Sequence, residues 1–248
     1  MIQLRALSKL YGRAIALRPL DLEIPKGETL SVVGPSGAGK TTLLRCVAGL
    51  DRGYSGSVSL GGQSARTYLA QRRPAMVFQR YANFHWMTVL ENLEQALIHL
   101  SASTREKRSK CEAMLGVVGL NNQGWRYVAE LSGGMQQRVA VARALLQDDD
   151  IILLDEPFGA LDIANRASLQ DFVKSYFHER AKTAVFVTHD PVEAIYVGDR
   201  ILLLSDRSNH QHRLFDSPVQ GTVSQSAKAE KAFLDLQLEL TRLLMDRS

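Results

Sequence analysis

The sequence predicts an α/β fold: a parallel strand-and-helix core with a helical insertion between its halves. Three observations carry this. Thr29–Val33 is a compact β-branched run that suits a buried strand, and it leads through a glycine-rich turn into a helical pattern. Strand-then-helix order returns at residues 151–154 and 184–188. Between these halves, from about residue 79 to residue 130, the pattern is helix-rich.

Taken in order, residues 2–7 and 20–24 alternate in the manner of strands, and residues 25–28, Pro-Lys-Gly-Glu, signal a turn. Residues 40–50 read as a helix ending near Gly49. Leu90, Leu93, Leu97 and Leu100 recur at spacings of 3 and 4, which predicts an amphipathic helix. Residues 105–120 predict another, with Gly119 near its end. After Ser205 the pattern weakens. Residues 201–205 and 211–215 predict a hairpin across Ser208 and Asn209. Residues 226–245 place Phe233, Leu236, Leu240, Leu243 and Leu244 on one helical face, predicted to pack on its own domain rather than on a partner.

The 248 residues suffice for one large α/β domain or two small lobes with a sizeable core. A net charge of +4 with acids and bases interspersed describes an ordinary solvated surface. Cys46 and Cys111 lie far apart, which argues against a disulfide framework or a zinc site and fits a reducing cytoplasm. The N-terminus, MIQLRALSKLYG, carries charges where a signal peptide needs an apolar core. No run approaches the ~20 apolar residues that span a bilayer, so a membrane role must pass through a partner.

Gly34-Pro35-Ser36-Gly37-Ala38-Gly39-Lys40-Thr41, followed by Thr42, fits G-x-x-x-x-G-K-[ST] between an apolar strand and a helix. Glycines let the backbone bend so that several N–H groups point at phosphate oxygens, and the helix N-terminus adds its positive dipole end. Lys40 places a charge by the β- and γ-phosphates, and Thr41 offers a hydroxyl to Mg²⁺. Residues 151–157 form an apolar strand running into Asp155-Glu156-Pro157. Charge at the end of a buried strand is costly unless paired or metal-bound, which marks Asp155 as a Mg²⁺ ligand. Glu156 is then placed to polarise the attacking water as a general base.

Leu131-Ser132-Gly133-Gly134-Met135-Gln136-Gln137-Arg138 stands directly ahead of a helical stretch at 139–146. Ser132 and Gly134 present a hydroxyl and a bare N–H at a helix N-terminus, a second phosphate site. One chain does not need two cradles for one nucleotide. The economical explanation is a head-to-tail pair in which each second cradle completes the other chain's site.

LSGGMQQR resembles the signature motif of the ABC transporter ATPases, and the order and spacing of the other motifs agree from Tyr11 to His189, over about the first 205 residues. The resemblance implies a P-loop NTPase (RecA-like) core with an antiparallel β subdomain and an α-helical subdomain inserted at about 79–135. It implies an ABC ATPase domain over residues 1–205 and a C-terminal extension, 206–248, with an amphipathic helix. It implies that ATP is held by Tyr11, by Gly34 through Thr42 and by Ser132, Gly133 and Gly134, with Tyr11 stacking on adenine. Mg²⁺ falls to Thr41, Gln79 and Asp155; catalysis falls to Glu156, Gln79 and His189, the last touching the γ-phosphate. Residues 159–162, Gly-Ala-Leu-Asp, match the loop that communicates across the dimer. Plainer readings stay open: Tyr11 as a core aromatic, His189 as a structural histidine, and His210 with His212 as polar surface rather than a metal site.

Residues 80–92 match the family's coupling region, where the helical lobe meets the membrane permease. The sulfonate, taurine and nitrate importer ATPases often have leucine-proline-tryptophan here, whereas this chain has Phe84-His85-Trp86. Tyr81, Phe84, Trp86 and Met87 read either as a partner groove or as a core cluster.

The function implied is that of an ATP-binding subunit of an ABC transporter, hydrolysing ATP with Mg²⁺ in a closed homodimer to energise a separate permease. Bacterial uptake of a small solute such as sulfonate, taurine or nitrate is favoured. A periplasmic or extracytoplasmic substrate-binding protein acts through the permease, the chain is peripheral at the cytoplasmic face, and no nucleic acid takes part. The rivals are a lipid or lipoprotein extraction or export complex, a soluble ABC ATPase acting on DNA or ribosomes, and a module that merely senses ATP. Lys40 and Ser132 stand under a hundred residues apart without heptads, which disfavours the chromosome type; Glu156 and His189 disfavour the sensor.

Overall fold

The computed structural model describes residues 1–204 and 212–245. Strands β1 (Ile2–Tyr11) and β2 (Ala14–Ile24) pair antiparallel. Next come β3 (Thr29–Val33) and helix α1 (Lys40–Val47), then β4 (Ser55–Leu60) and β5 (Gln63–Ser64). The first sheet runs β2-β1-β4-β5, antiparallel throughout. Helix α2 (Ala65–Gln71) and β6 (Ala75–Val77) lead into α3 (Val89–Ala96), α4 (Thr104–Val117) and α5 (Gly133–Leu146). The remaining elements are β7 (Ile151–Asp155), α6 (Ile163–Glu179), β8 (Thr183–Val187), α7 (Pro191–Val197), β9 (Arg200–Leu203), β10 (Arg213–Asp216) and α8 (Lys231–Met245). The second sheet has the order β10-β9-β3-β8-β7-β6, parallel except for β10 on the edge.

Every residue of β3, β7 and β8 is buried, because helices or the first sheet cover both faces; hence their mostly apolar composition, with only Thr29, Ser31, Asp155 and Thr183 polar. β1 alternates only to Leu4. A bulge at Ala6, with φ 45°, then shifts the register so that Leu7 points inward instead. Helix α1 lies between the two sheets: Leu43, Leu44, Cys46 and Val47 pack with Ile2, Leu4 and Leu7 of the first and Leu30, Val32 and Val187 of the second.

Caps set the helix lengths. The α1 helix ends in a reciprocal turn in which Leu50 N–H donates to Arg45 O and Gly49 N–H to Cys46 O, with Gly49 at φ 69°. The turn at Gly119 ends α4 in the same way, and capping boxes at Thr88/Glu91 and Ser103/Glu106 start α3 and α4. The leucine periodicity overshoots: α3 stops at Ala96, and Leu97 and Leu100 sit in tighter turns beyond it.

Antiparallel pairing of β9 with β10 forms the predicted C-terminal strand pair, while its turn at Ser208 and Asn209, and His210, lie outside the described residues. His212 is half-buried. Phe233 and Leu240 of α8 are buried in the main core, with Leu236, Leu243 and Leu244 packed against its edge. Burial pushes the Cys46 and Cys111 thiols up to about 11 and about 12.

Candidate functional site

The C-terminal ends of β3 and β7 and the loop after β8 converge on one edge of the parallel sheet, the place where such sheets bind ligands. From β3 the chain turns through Gly34–Gly39 into α1. Gly37 has φ 80° and Gly39 φ 97°, and a Cβ on Gly39 would lie 2.2 Å from the carbonyl oxygen of Ala16, so only glycine fits there. Lys40 Nζ donates to Gly34 O at 2.7 Å and Pro35 O at 3.0 Å. Burial lowers the Lys40 pKa, and the charges of Glu156 and Asp155 oppose that shift. A half-desolvated ammonium so placed favours a strongly anionic ligand. Pro35, Thr41 and Thr42 are half-buried, as is Ala38, whose N–H donates to Pro35 O; Ser36 is exposed.

Asp155 ends β7 and is 3% exposed, and its Oδ1 has no hydrogen-bond partner. Burial raises its pKa, with the Thr41 hydroxyl the leading influence in the other direction. A buried orphan carboxylate oxygen beside a hydroxyl is a donor set that fits a hard divalent cation such as Mg²⁺. Glu156 follows with φ 51°, a left-handed conformation that a non-glycine residue keeps only when its surroundings hold it. Its N–H donates to Val187 O at 2.9 Å and its carbonyl accepts from Gln137 Nε2 at 2.9 Å. Its carboxylate lies 3.6 Å from His189 Nδ1. The turn bearing His189 is held by Thr188, whose hydroxyl donates to buried Glu193 at 2.6 Å and accepts from Asp190 N–H at 3.1 Å. Lys40, Thr41, Asp155, Glu156 and His189 thus come together within one chain. Gln79 sits exposed just past β6.

Tyr11, at the end of β1, is 47% exposed and so is not a core aromatic. Its hydroxyl donates to Asp51 at 2.6 Å; Lys9 also pairs with Asp51 and lies 5.0 Å from the centre of the Tyr11 ring. The ring is therefore fixed from behind and open in front. Neither Lys9 nor Asp51 is visible to motif reading, since the pair spans 42 residues.

The second glycine turn starts α5, and the helix begins at Gly133, earlier than the stretch at 139–146 expected from sequence. Ser132 is its N-cap, accepting from Met135 N–H at 3.4 Å, which offsets the low helix propensity of two glycines. Ser132 and Gly133 are exposed. A Cβ on Gly134 would meet Ala160 O at 2.9 Å, so this turn lies directly on the 159–162 loop. Among the described residues, no hydrogen bond or ion pair joins residues 132–134 to the phosphate loop.

The 80–92 segment is rigidly held. Tyr81 and Ala82 have φ 54° and 50°, and Arg143 of α5 donates to Ala82 O at 2.6 Å. Fully buried Asn92 donates to Phe84 O and Thr88 O and accepts from Phe84 N–H, each at 2.9 Å. Tyr81 packs on the core, whereas Trp86 is 71% exposed with Phe84 5.6 Å away, so the aromatic cluster divides between the two readings. A separate cleft of about 800 Å³ opens between α2, α3 and the end of α5, lined by Leu69, Arg72, Gln95, Leu100, Leu146 and Asp149.

A family model described as ABC transporter matches residues 17–159. The sulfate/thiosulfate import ATP-binding protein CysA of Bacillus cereus is 43% identical over 210 residues, covering 83% of this chain; the chain spans 59% of that relative's length. The aliphatic sulfonates import ATP-binding protein SsuB of Bacillus thuringiensis subsp. konkukian is 38% identical over 210 residues, covering 85% of this chain and 82% of the relative. Among solved structures, the dimeric bacterial ABC transporter cassette MJ0796 superposes with a TM-score of 0.77 at 34% identity, covering 86% of this chain and 98% of that one. The same cassette in a post-hydrolysis state bound to ADP and Pi gives 0.78 at 34% identity, with the same coverage.

Proposed function

The chain belongs to the ABC transporter family, and on that premise we propose that it is the ATP-hydrolysing subunit of an importer, working as a head-to-tail pair that clamps two ATP molecules. One observation carries the reading. Lys40, Asp155, Glu156 and His189 cluster at one edge of the parallel sheet, while the glycine turn at Ser132 is exposed and unbonded to the phosphate loop among the described residues; we read them as two halves of one phosphate site. The similarity to a cassette that forms dimers supports it.

In this reading Tyr11 stacks on adenine, while the N–H groups of the Gly34–Thr42 loop and the Lys40 ammonium hold the β- and γ-phosphates. Asp155 and Thr41, with Gln79, would hold Mg²⁺, which would supply positive charge against the phosphate oxygens. His189 contacts the γ-phosphate, and Glu156 orients the attacking water and takes its proton. Ser132, Gly133 and Gly134 of the second chain close the far side of the triphosphate and exclude water. Hydrolysis removes the bridging charge and the pair opens.

The cassette occupies residues 1–205 with its helical lobe at about 79–135, and residues 206–248 form an extension. Trp86 and Phe84, together with the interlobe cleft, receive cytoplasmic loops of a permease. Among the described residues no helix is long and apolar enough to cross a membrane. In this reading the chain works through that permease, from the cytoplasmic face. The import proteins for sulfate or thiosulfate and for sulfonates among its relatives support a sulfur oxyanion or sulfonate as cargo, delivered by a substrate-binding protein.

The test is Glu156→Gln. It should keep ATP binding, form a stable ATP-dependent dimer and lose at least about a hundredfold in turnover; undiminished hydrolysis contradicts the role of Glu156. ATPase activity that responds to a co-purified permease and not to nucleic acid supports transport.

A further inference from the structure

Helix α5 touches both halves of the proposed two-chain site, and one side chain makes the connection. Gln137 is 1% exposed. Its Nε2 donates to the carbonyl of Glu156 at 2.9 Å, and its Oε1 accepts from Ala160 N–H at 2.9 Å. One carboxamide therefore spans the loop from the proposed general base to the segment beneath Gly134. The Glu156 backbone is held in its left-handed conformation from two sides, its N–H by β8 and its carbonyl by α5. Ser132, the N-cap of the same helix, stands five residues away, about 7.5 Å along the axis. A helix moves as a rigid body, and packed interiors transmit such shifts rather than absorb them.

We propose that Gln137 is a positioning residue: it ties the partner-facing start of α5 to the backbone of Glu156, so that engagement of Ser132 by ATP in one site sets the geometry of Glu156 in the other. The proposal rests on the head-to-tail reading. It makes the two ATP sites of a pair energetically coupled through residues that touch no nucleotide.

The discriminating variant is Gln137→Glu. An ionised carboxylate still accepts from Ala160 N–H but cannot donate to the Glu156 carbonyl, and its charge repels that oxygen. Wild type is expected to hydrolyse ATP with a Hill coefficient above one. Gln137→Glu is expected to bind ATP within about twofold of wild type, as a fluorescent analogue reports, and to form the ATP-dependent dimer when combined with Glu156→Gln. Its kcat should fall at least about tenfold with KM little changed, and its Hill coefficient should approach one. A purely structural role would lower thermal stability and leave kcat per folded molecule intact. An unchanged kcat, or a wild-type Hill coefficient of one, overturns the proposal while leaving the two-chain site standing. Failure of Glu156→Gln alone to dimerise with ATP removes the two-chain site and this proposal with it. If Gln137→Glu does not fold, Gln137→Met is judged by the same kcat criterion. If neither folds, amide exchange in wild type decides: Ala160 N–H must be strongly protected, and exchange at the rate of an unstructured chain overturns the link.

Discussion

Helices α1 and α5 both begin on glycine turns suited to phosphate, yet their surroundings are opposite. The α1 turn is held against the core: Gly39 presses on Ala16, Lys40 is half-buried, and two carboxylates stand close by. The α5 turn faces solvent at Ser132 and Gly133, and its base rests on the 159–162 loop. In the proposed head-to-tail pair, that difference would divide preorganisation and exposure between the two ends of one site. On that proposal the half-buried turn holds a nucleotide alone, and the exposed one acts only when a second surface brings a phosphate to it.

That contrast breaks most readily at Lys40. Lys40→Ala is expected to abolish detectable ATP binding and to cut hydrolysis by at least about a hundredfold, since a charge aimed at the transferring phosphoryl group is lost. Nucleotide affinity measured by fluorescence, alongside steady-state turnover, reads both effects.

On the other turn, Ser132→Arg should cost at least about tenfold in turnover while the monomer's ATP affinity stays within about twofold. Weakened monomer binding would mean that the two turns are not separate halves.

The same small change should have opposite effects on folding at the two turns. Gly39→Ala meets a backbone oxygen at 2.2 Å and a φ of 97°, and should destabilise the chain by about 2–3 kcal/mol. Gly133→Ala meets nothing closer than 3.9 Å at a helical position, and should be neutral or stabilise by up to about 1 kcal/mol. Denaturant midpoints of the two variants compare them directly.

The smallest effect lies just past the far end of α5. Burial pushes the Asp149 carboxyl up to about 6, and the neighbouring Asp148 and Asp150 charges add to the rise. Its folded pKa exceeds the unfolded value, so its contribution to stability is fully present below about pH 4 and is lost as pH rises through about 6. Asp149→Asn should therefore be more stable than wild type above pH 6, by at most about 1–2 kcal/mol after solvent screening, with the gap closing below pH 4. Melting temperatures at pH 4 and pH 7.5 check the sign.

The parts legible in the sequence are those in which chemistry demands contiguous residues. Gly34 through Thr42, Asp155-Glu156 and Ser132 through Gly134 each lie at a single strand–helix or loop–helix junction, so spacing alone marks them as candidates. Elements that depend on distant partners were not legible. β4 and β5 are short and polar, and pair only because β1 offers an edge. The bulge at Ala6 is set by Gly56 on the opposite strand, where a Cβ would lie 2.3 Å from Ala6 O. Two glycines hide the first turns of α5 from an apolar-periodicity reading, and the Ser132 cap lets the helix start there. Gln137, Arg143, Asn92 and Asp51 hold loops through bonds that reach 8 to 61 residues along the chain, a separation that no local pattern encodes.

The division of the site between chains is tested most directly by mixing two inactive variants. Ser132→Arg keeps an intact Lys40 loop, and Lys40→Ala keeps an intact Ser132 turn. A mixed pair contains one site assembled wholly from unaltered halves. The expected result is ATPase activity in the mixture above that of either variant alone but below half of wild type, because the Glu156 of the intact site lies on the chain whose Ser132 is altered. Full activity of Ser132→Arg by itself, or a mixture as inactive as its components despite forming mixed dimers, would contradict the account.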